Sequence, residues 1–188
     1  MITVIGYRSP LGPLTLAAEE GALVGLWFDG QRSFGSTLPE RYIRTAGTPP
    51  SVLSQAREWL DGYFSGRDPG APPPLRTAST AFRNAVWKLL LTIPYGQTVT
   101  YGELAARLAK DLQLAKVSAR AVGGAVGQNL LLLMIPCHRV TGAGGALTGY
   151  SGGIERKRAL LSLEAGAPWK ENPHHRKNKI QDTTEEKP

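Results

Sequence analysis

Ile135-Pro136-Cys137-His138-Arg139-Val140 is the stretch on which the reading of this chain turns. It holds the only cysteine among 188 residues. A thiol attacks as the thiolate, and an adjacent imidazole and guanidinium favour that charged form. A single cysteine leaves no internal disulfide, no cysteine-rich zinc site and no resolving thiol in the same chain. Cys137 is therefore an inert buried hydrophobe, a hydrolase nucleophile or a stoichiometric acceptor.

Working outward, the flanking sequence is helical. Residues 81–91 place Phe82, Val86, Leu89 and Leu90 on one stripe, with Thr80 as cap. Pro94-Tyr95-Gly96 ends that helix in a turn. Thr100-Tyr101-Gly102-Glu103 fits a capping box, and the helix it opens runs on through Leu104 and Leu108. Ser118 caps a helix of small residues over 119–126. Two short helices joined this way suggest a helix-turn-helix. Glycine is a poor helix former, so Gly123 and Gly124 need a reason: close approach to another surface, or tight packing on a neighbouring helix. Beyond the cysteine, 149–153 is a turn-rich loop, and a last helix is expected over 154–164 with Gly166 as its stop.

The first half reads differently. Residues 3–8, 14–18 and 22–28 are expected strands, the last two joined by a hairpin turn at Glu19-Glu20-Gly21. Residues 51–64 form an amphipathic helix with Ser51 as its cap. Proline and glycine dominate 66–75, which reads as an interdomain linker. The expected organisation is an N-terminal α/β domain (1–65), a Pro/Gly-rich linker (66–80), a C-terminal domain (81–166) and a charged, disordered tail (167–188) in which His174 and His175 are solvated. The fold class is thus α/β, of the α+β kind.

The net charge of +7 is unevenly placed. Residues 1–80 carry seven Lys/Arg and seven Asp/Glu, whereas 81–166 carry ten against four. The excess lies in the half that contains Cys137, which makes a polyanion such as nucleic acid a reasonable partner. No run of about 18 uncharged apolar residues is present, so no membrane span is expected. The first residues lack the pattern of a signal peptide. A cytoplasmic protein with a reduced Cys137 is the expectation.

With these segments in view, the chain resembles the O6-alkylguanine-DNA alkyltransferase (methylated-DNA–protein-cysteine methyltransferase) family. The resemblance rests on the Cys137 hexapeptide, Tyr150-Ser151-Gly152-Gly153, Arg120-Ala121-Val122-Gly123, and Ile93-Pro94-Tyr95-Gly96 followed by Tyr101-Gly102-Glu103-Leu104-Ala105. Ser9-Pro10-Leu11-Gly12-Pro13-Leu14 adds to it, and it covers residues 1 to about 166. It implies a ribonuclease-H-like N-terminal domain and a helical C-terminal domain whose helix-turn-helix docks in the DNA minor groove. It also implies irreversible, single-turnover transfer of the alkyl group from O6-alkylguanine in double-stranded DNA to Cys137, with O4-alkylthymine an open second substrate.

The resemblance assigns roles residue by residue. Cys137 is the acceptor, His138 the base acting through a water, Glu164 the acid orienting His138, and Asn129 the brace of the turn. Tyr101 helps rotate the nucleotide and donates to the base. Val140, Tyr150 and Ser151 face the flipped guanine. Arg120 fills the vacated stack, and Ala121, Gly123, Gly124 and Ala125 give a small-residue surface for the groove. Arg139 is left as a structural brace. No cofactor and no metal are implied, and the free protein is expected to be monomeric. Two departures stand out: Leu130 and Leu132 occupy usual proline positions, the latter where the alkyl pocket is commonly lined, and the connection at 110–117 is longer than usual.

Three other functions compete. A lesion sensor of this lineage would lack the cysteine. A helix-turn-helix transcription regulator would not need His138, Glu164 and Tyr150-Ser151 together. A cysteine hydrolase would turn over repeatedly.

Overall fold

A computed structural model of the chain describes residues 1–45 and 49–167. The expected tail, with His174 and His175, lies outside the described residues except for Ala167.

Three antiparallel strands open the chain: β1 (Thr3–Ser9), β2 (Gly12–Glu19) and β3 (Ala22–Phe28). Glu20 and Gly21 both adopt positive φ (49° and 76°), the backbone of a two-residue hairpin turn that follows the strands' own twist. A short β4 (Ile43–Arg44) adds in parallel to β1, giving the order β3-β2-β1-β4. Helix α1 (Ser51–Phe64) lays Val52, Leu53, Ala56, Leu60 and Tyr63 against this sheet. Ser51 does not cap it. Pro50 holds the cap position and makes no side-chain bond, while Ser51 is already the first helical residue, one place too late for its hydroxyl to reach back.

The proline-rich segment bends at Arg67, Ala71 and Pro73 and is laid on the sheet at its end. Leu23 N–H donates to Pro74 O, Arg76 N–H donates to Leu23 O (both 2.8 Å), and Arg76 pairs with Glu19 and Glu20. Trp59 Nε1 donates to Gly70 O at 3.1 Å.

The second half holds α2 (Ala81–Leu90), β5 (Val99–Thr100), α3 (Tyr101–Asp111), α4 (Ala119–Gly127), β6 (Val140–Thr141) and α5 (Ile154–Glu164). Thr80, Thr100 and Ser118 cap their helices through the side chain, and Thr100 with Glu103 forms a full capping box. Leu91, expected in α2, is its C-cap. Trp87 Nε1 donates to Ala125 O at 2.9 Å and ties α2 to α4. One apolar cluster runs from Leu14, Leu16 and Leu26 of the sheet through Leu131 and Leu132 to Leu104 and Val122 of the helices. Each such buried side chain contributes about 1.5–3 kcal/mol. Among the described residues no helix is long and apolar enough to cross a membrane.

Candidate active site

The turn around Cys137 is built from the backbone upward. Pro136 has φ −79° and ψ 61°, the inverse γ-turn to which a proline ring is already suited. Cys137 N–H accordingly donates to Ile135 O at 2.7 Å. Cys137–Arg139 then form one 3-10 turn, and β6 pairs in parallel with β5. Asn129 locks the arrangement. Its Oδ1 accepts from Leu131 N–H at 2.9 Å, and its Nδ2 donates to Ile135 O at 2.8 Å and lies 3.1 Å from Cys137 Sγ. Asn129 is 1% exposed, so these bonds satisfy an amide that would otherwise be costly to bury.

The next two residues meet α5. His138 Nε2 lies 2.6 Å from Glu164 Oε1, and Arg139 grips both carboxylate oxygens, Nε to Oε2 at 2.8 Å and Nη2 to Oε1 at 3.0 Å. The Pro94-Tyr95-Gly96 turn closes over the pair. Arg139 Nη1 donates to Ile93 O at 2.7 Å and Gly96 N–H donates to Glu164 Oε2 at 3.0 Å. Gly96 needs positive φ (74°), and a Cβ there would stand 3.1 Å from Glu164 O. Tyr63 of α1 adds a further bond, its hydroxyl donating to Glu164 Oε1 at 2.7 Å while lying 3.2 Å from His138 Nε2.

Protonation follows from these contacts. Burial works against the Glu164 carboxylate, yet His138 and Arg139 outweigh it and hold its pKa down to about 2. Burial lowers the His138 pKa, with Glu164 opposing, so the ring is neutral at neutral pH. A carboxylate beside Nε2 requires the proton there, which leaves Nδ1 as the basic nitrogen; Nδ1 has no protein partner among the described residues. Cys137 departs from the sequence reading. Burial pushes its thiol up to about 11, although Asn129 and Lys157 pull the other way. The resting group is a thiol, and neither His138 nor Arg139 makes it a thiolate in advance.

Cys137 lines a cleft of about 460 Å³ together with Tyr101, Val126, Tyr150, Ser151 and Arg32. Lys157, fully buried on α5, ties Thr148 of the cleft wall to β6 by donating to Val140 O (2.5 Å) and Thr148 O (3.1 Å). Ser151 Oγ donates to Gly127 O at 2.8 Å, fastening the 149–153 loop to the end of α4. The Tyr150 hydroxyl is buried without a protein partner among the described residues. Across the helix-turn-helix, Arg120, Ala121 and Gly124 are exposed. The two glycines have separate reasons. A Cβ on Gly123 would stand 3.7 Å from the Tyr101 ring, whereas one on Gly124 would meet nothing within 4 Å. Ala125 is 4% exposed and faces the core, so it is not part of any groove-facing surface; it falls on the α2 side of the helix. Among the described residues no group of three or more His, Cys, Asp or Glu could hold a metal ion.

Comparison with known proteins gives this geometry a lineage. Residues 81–166 match the family model described as 6-O-methylguanine DNA methyltransferase, DNA binding domain, and residues 4–70 match its ribonuclease-like domain. The methylated-DNA--protein-cysteine methyltransferase of Mycobacterium tuberculosis is 46% identical over 167 residues, covering 86% of this chain and 93% of that protein. The crystal structure of Mycobacterium tuberculosis OGT in complex with DNA superposes with a TM-score of 0.76 at 42% identity, covering 88% of this chain and 95% of the other. The chain belongs to the 6-O-methylguanine DNA methyltransferase family.

Within that family the leucine run gains a physical meaning. Leu132 is fully buried and does not line the cleft, contrary to the pocket role its position suggested. Its N–H donates to Leu26 O at 3.1 Å, and Leu26 N–H donates to Leu130 O at 2.8 Å. A proline at 132 has no N–H to give, so the leucine here docks the active-site turn on β3. Leu133 takes positive φ (70°), a strained backbone for a side chain of its size. Neither Tyr63 nor Lys157 is among the site residues expected from the sequence. Nothing local distinguishes either; only their distant partners do.

Proposed function

We propose that this family member repairs DNA by direct reversal, moving the alkyl group from O6 of guanine to Cys137 Sγ once per molecule. Cys137 carries the reading: a buried thiol, held by Asn129, in the wall of a cleft and beside a neutral imidazole with its basic nitrogen unengaged. The thiol proton passes to His138 Nδ1, by way of a water in the relay the family resemblance implies. Glu164, itself held by Arg139 and Tyr63, fixes the ring and offsets the positive charge the ring gains. The S–C bond forms as the C–O6 bond breaks, and the electron pair stays on the purine. The Tyr101 hydroxyl and the Ser151 backbone N–H meet that developing charge, while the Val140 carbonyl faces the exocyclic amine.

The partner is double-stranded DNA bearing an alkylated guanine. Its target base is stacked away from any thiol, so the nucleotide must be turned out, at roughly a few kcal/mol. Arg120 holds the gap, and the exposed Ala121 and Gly124 let α4 approach the minor groove. We divide the chain into units at 1–65 and 81–166, a division supported by the two family matches, with 66–80 joining them. The cytoplasm, where thiols stay reduced, is the proposed place of action.

The test is incubation with duplex DNA carrying labelled O6-methylguanine. Label should reach one equivalent on the peptide containing Cys137, with intact mass raised by one alkyl group. Turnover beyond one equivalent, or label elsewhere, rejects the reading.

A further inference from the structure

The charges of the N-terminal half balance in number, and those described other than Arg32 do not line the cleft. Residues 1–80 carry equal numbers of cations and anions, and Arg76 is paired with Glu19 and Glu20. Arg32 is the exception. It stands in the loop between β3 and β4, is exposed, has no ion-pair or hydrogen-bond partner among the described residues, and lines the cleft that contains Cys137. It is the one lining residue from that half of the chain, and the one with a formal charge at neutral pH.

The loop holds Arg32 in place from both sides. Gln31 is 7% exposed; its Oε1 accepts from Phe28 N–H at 2.9 Å and its Nε2 donates to Ser33 Oγ at 3.3 Å. Phe34 meets Trp27 edge-on, with ring centroids 6.2 Å apart. Phe28 in turn touches the opposite wall. Arg156 lies over its ring at 4.4 Å while donating to Gly152 O and Leu11 O, and a Cβ on Gly152 would stand 3.0 Å from that ring. An unpaired guanidinium on a braced loop, at an otherwise uncharged cleft, is arranged to receive an anion.

We propose that Arg32 is a positioning residue of the N-terminal half that takes the backbone phosphate of the nucleotide turned out towards Cys137. The proposal rests on the alkyl-transfer reading of the cleft. A turned-out nucleotide brings its flanking phosphates to the cleft mouth, and the planar guanidinium fork matches two phosphate oxygens at once. The contact exists only when the nucleotide is extruded, so it favours the extruded state rather than general binding to DNA.

The experiment compares wild type, Arg32→Ala and Arg32→Lys. The substrates are duplex DNA with one O6-methylguanine, the same duplex with one O6-carboxymethylguanine, and free O6-benzylguanine. Arg32→Ala should lose about tenfold more rate on the methylguanine duplex than on the free base, the scale of one hydrogen bond to a charged group. The slope of log affinity against log salt should flatten by about 0.9. Arg32→Lys should recover the salt slope, keeping the charge without the fork, and part of the rate. Circular dichroism on each variant confirms that the fold is kept. Equal losses on duplex and free base, or an unchanged salt slope, would overturn the assignment. So would a loss confined to the carboxymethyl substrate, which would make Arg32 a reader of anionic alkyl groups. If wild type transferred to neither duplex nor free base, the reading of the cleft would fall as well, which separates the two failures.

Discussion

The turn that carries Cys137 and the helix that carries Arg120 follow opposite rules. Around the cysteine, Asn129, His138, Arg139, Lys157 and Glu164 are all buried, and each has named partners. On α4, Arg120, Ala121 and Gly124 are exposed, and the helix is held by its Ser118 cap, its buried face and the bonds that Trp87 and Ser151 make to its last turn. Displacement at a carbon needs groups already aimed before the substrate arrives, because reorganising them during reaction would raise the barrier. Groove binding needs a surface free to gain partners. The same chain therefore spends its polar network on one region and leaves the other sparse.

Breaking the contrast at its centre has the largest effect. Cys137→Ser should abolish transfer while DNA binding and the fold persist, as measured by label counting and gel shift. His138→Ala should slow transfer by about 10²–10⁴-fold, the usual range for a lost general base. The pH profile sharpens that result. With His138 neutral and basic, the wild-type rate should be flat from neutral pH upward. The His138→Ala rate should instead climb with pH towards the Cys137 value of about 11, because only ionisation by solvent is left.

Stability separates the two regions next. Arg139→Ala removes a buried partner of Glu164 and should cost about 3 kcal/mol in denaturant unfolding, whereas Arg120→Ala should stay within about 0.5 kcal/mol. Glu164 titrates below its ordinary carboxyl value of 4.5, at about 2, so its pairing stabilises the fold above that ordinary value. The contribution should fade as pH falls from about 4.5 to 2, and acid unfolding of Glu164→Gln should lack that phase.

On the exposed side the effects are selective. Arg120→Ala should slow repair in duplex DNA by about tenfold more than reaction with free O6-benzylguanine, since only the duplex must be opened. Equal losses would make Arg120 a structural residue. The smallest effect belongs to Gly124→Ala. The added methyl meets nothing within 4 Å, so the helix should gain about 0.5–1 kcal/mol while affinity for DNA falls. A variant that is more stable and binds equally well would remove the groove from the explanation of that glycine.

Local chemistry was legible from the residues alone. The positive-φ hairpin at Glu20-Gly21, the caps at Thr80, Thr100 and Ser118, the capping box with Glu103 and the bounds of α1 each depend on a few neighbouring residues. The Cys137 hexapeptide belongs with them, because a proline that sets an inverse γ-turn acts on its own neighbours. Tertiary structure alone decided the rest. It joined Tyr63 to Glu164 across 101 positions, turned Ala125 inward, sent Leu132 to β3 and brought Arg32 to the cleft. It also kept Cys137 a thiol, since adjacent His138 and Arg139 are drawn to Glu164 while burial governs the sulfur. Torsions and caps are short-range and written in adjacent residues. Burial and long-range pairing depend on which surfaces meet, which no local stretch specifies.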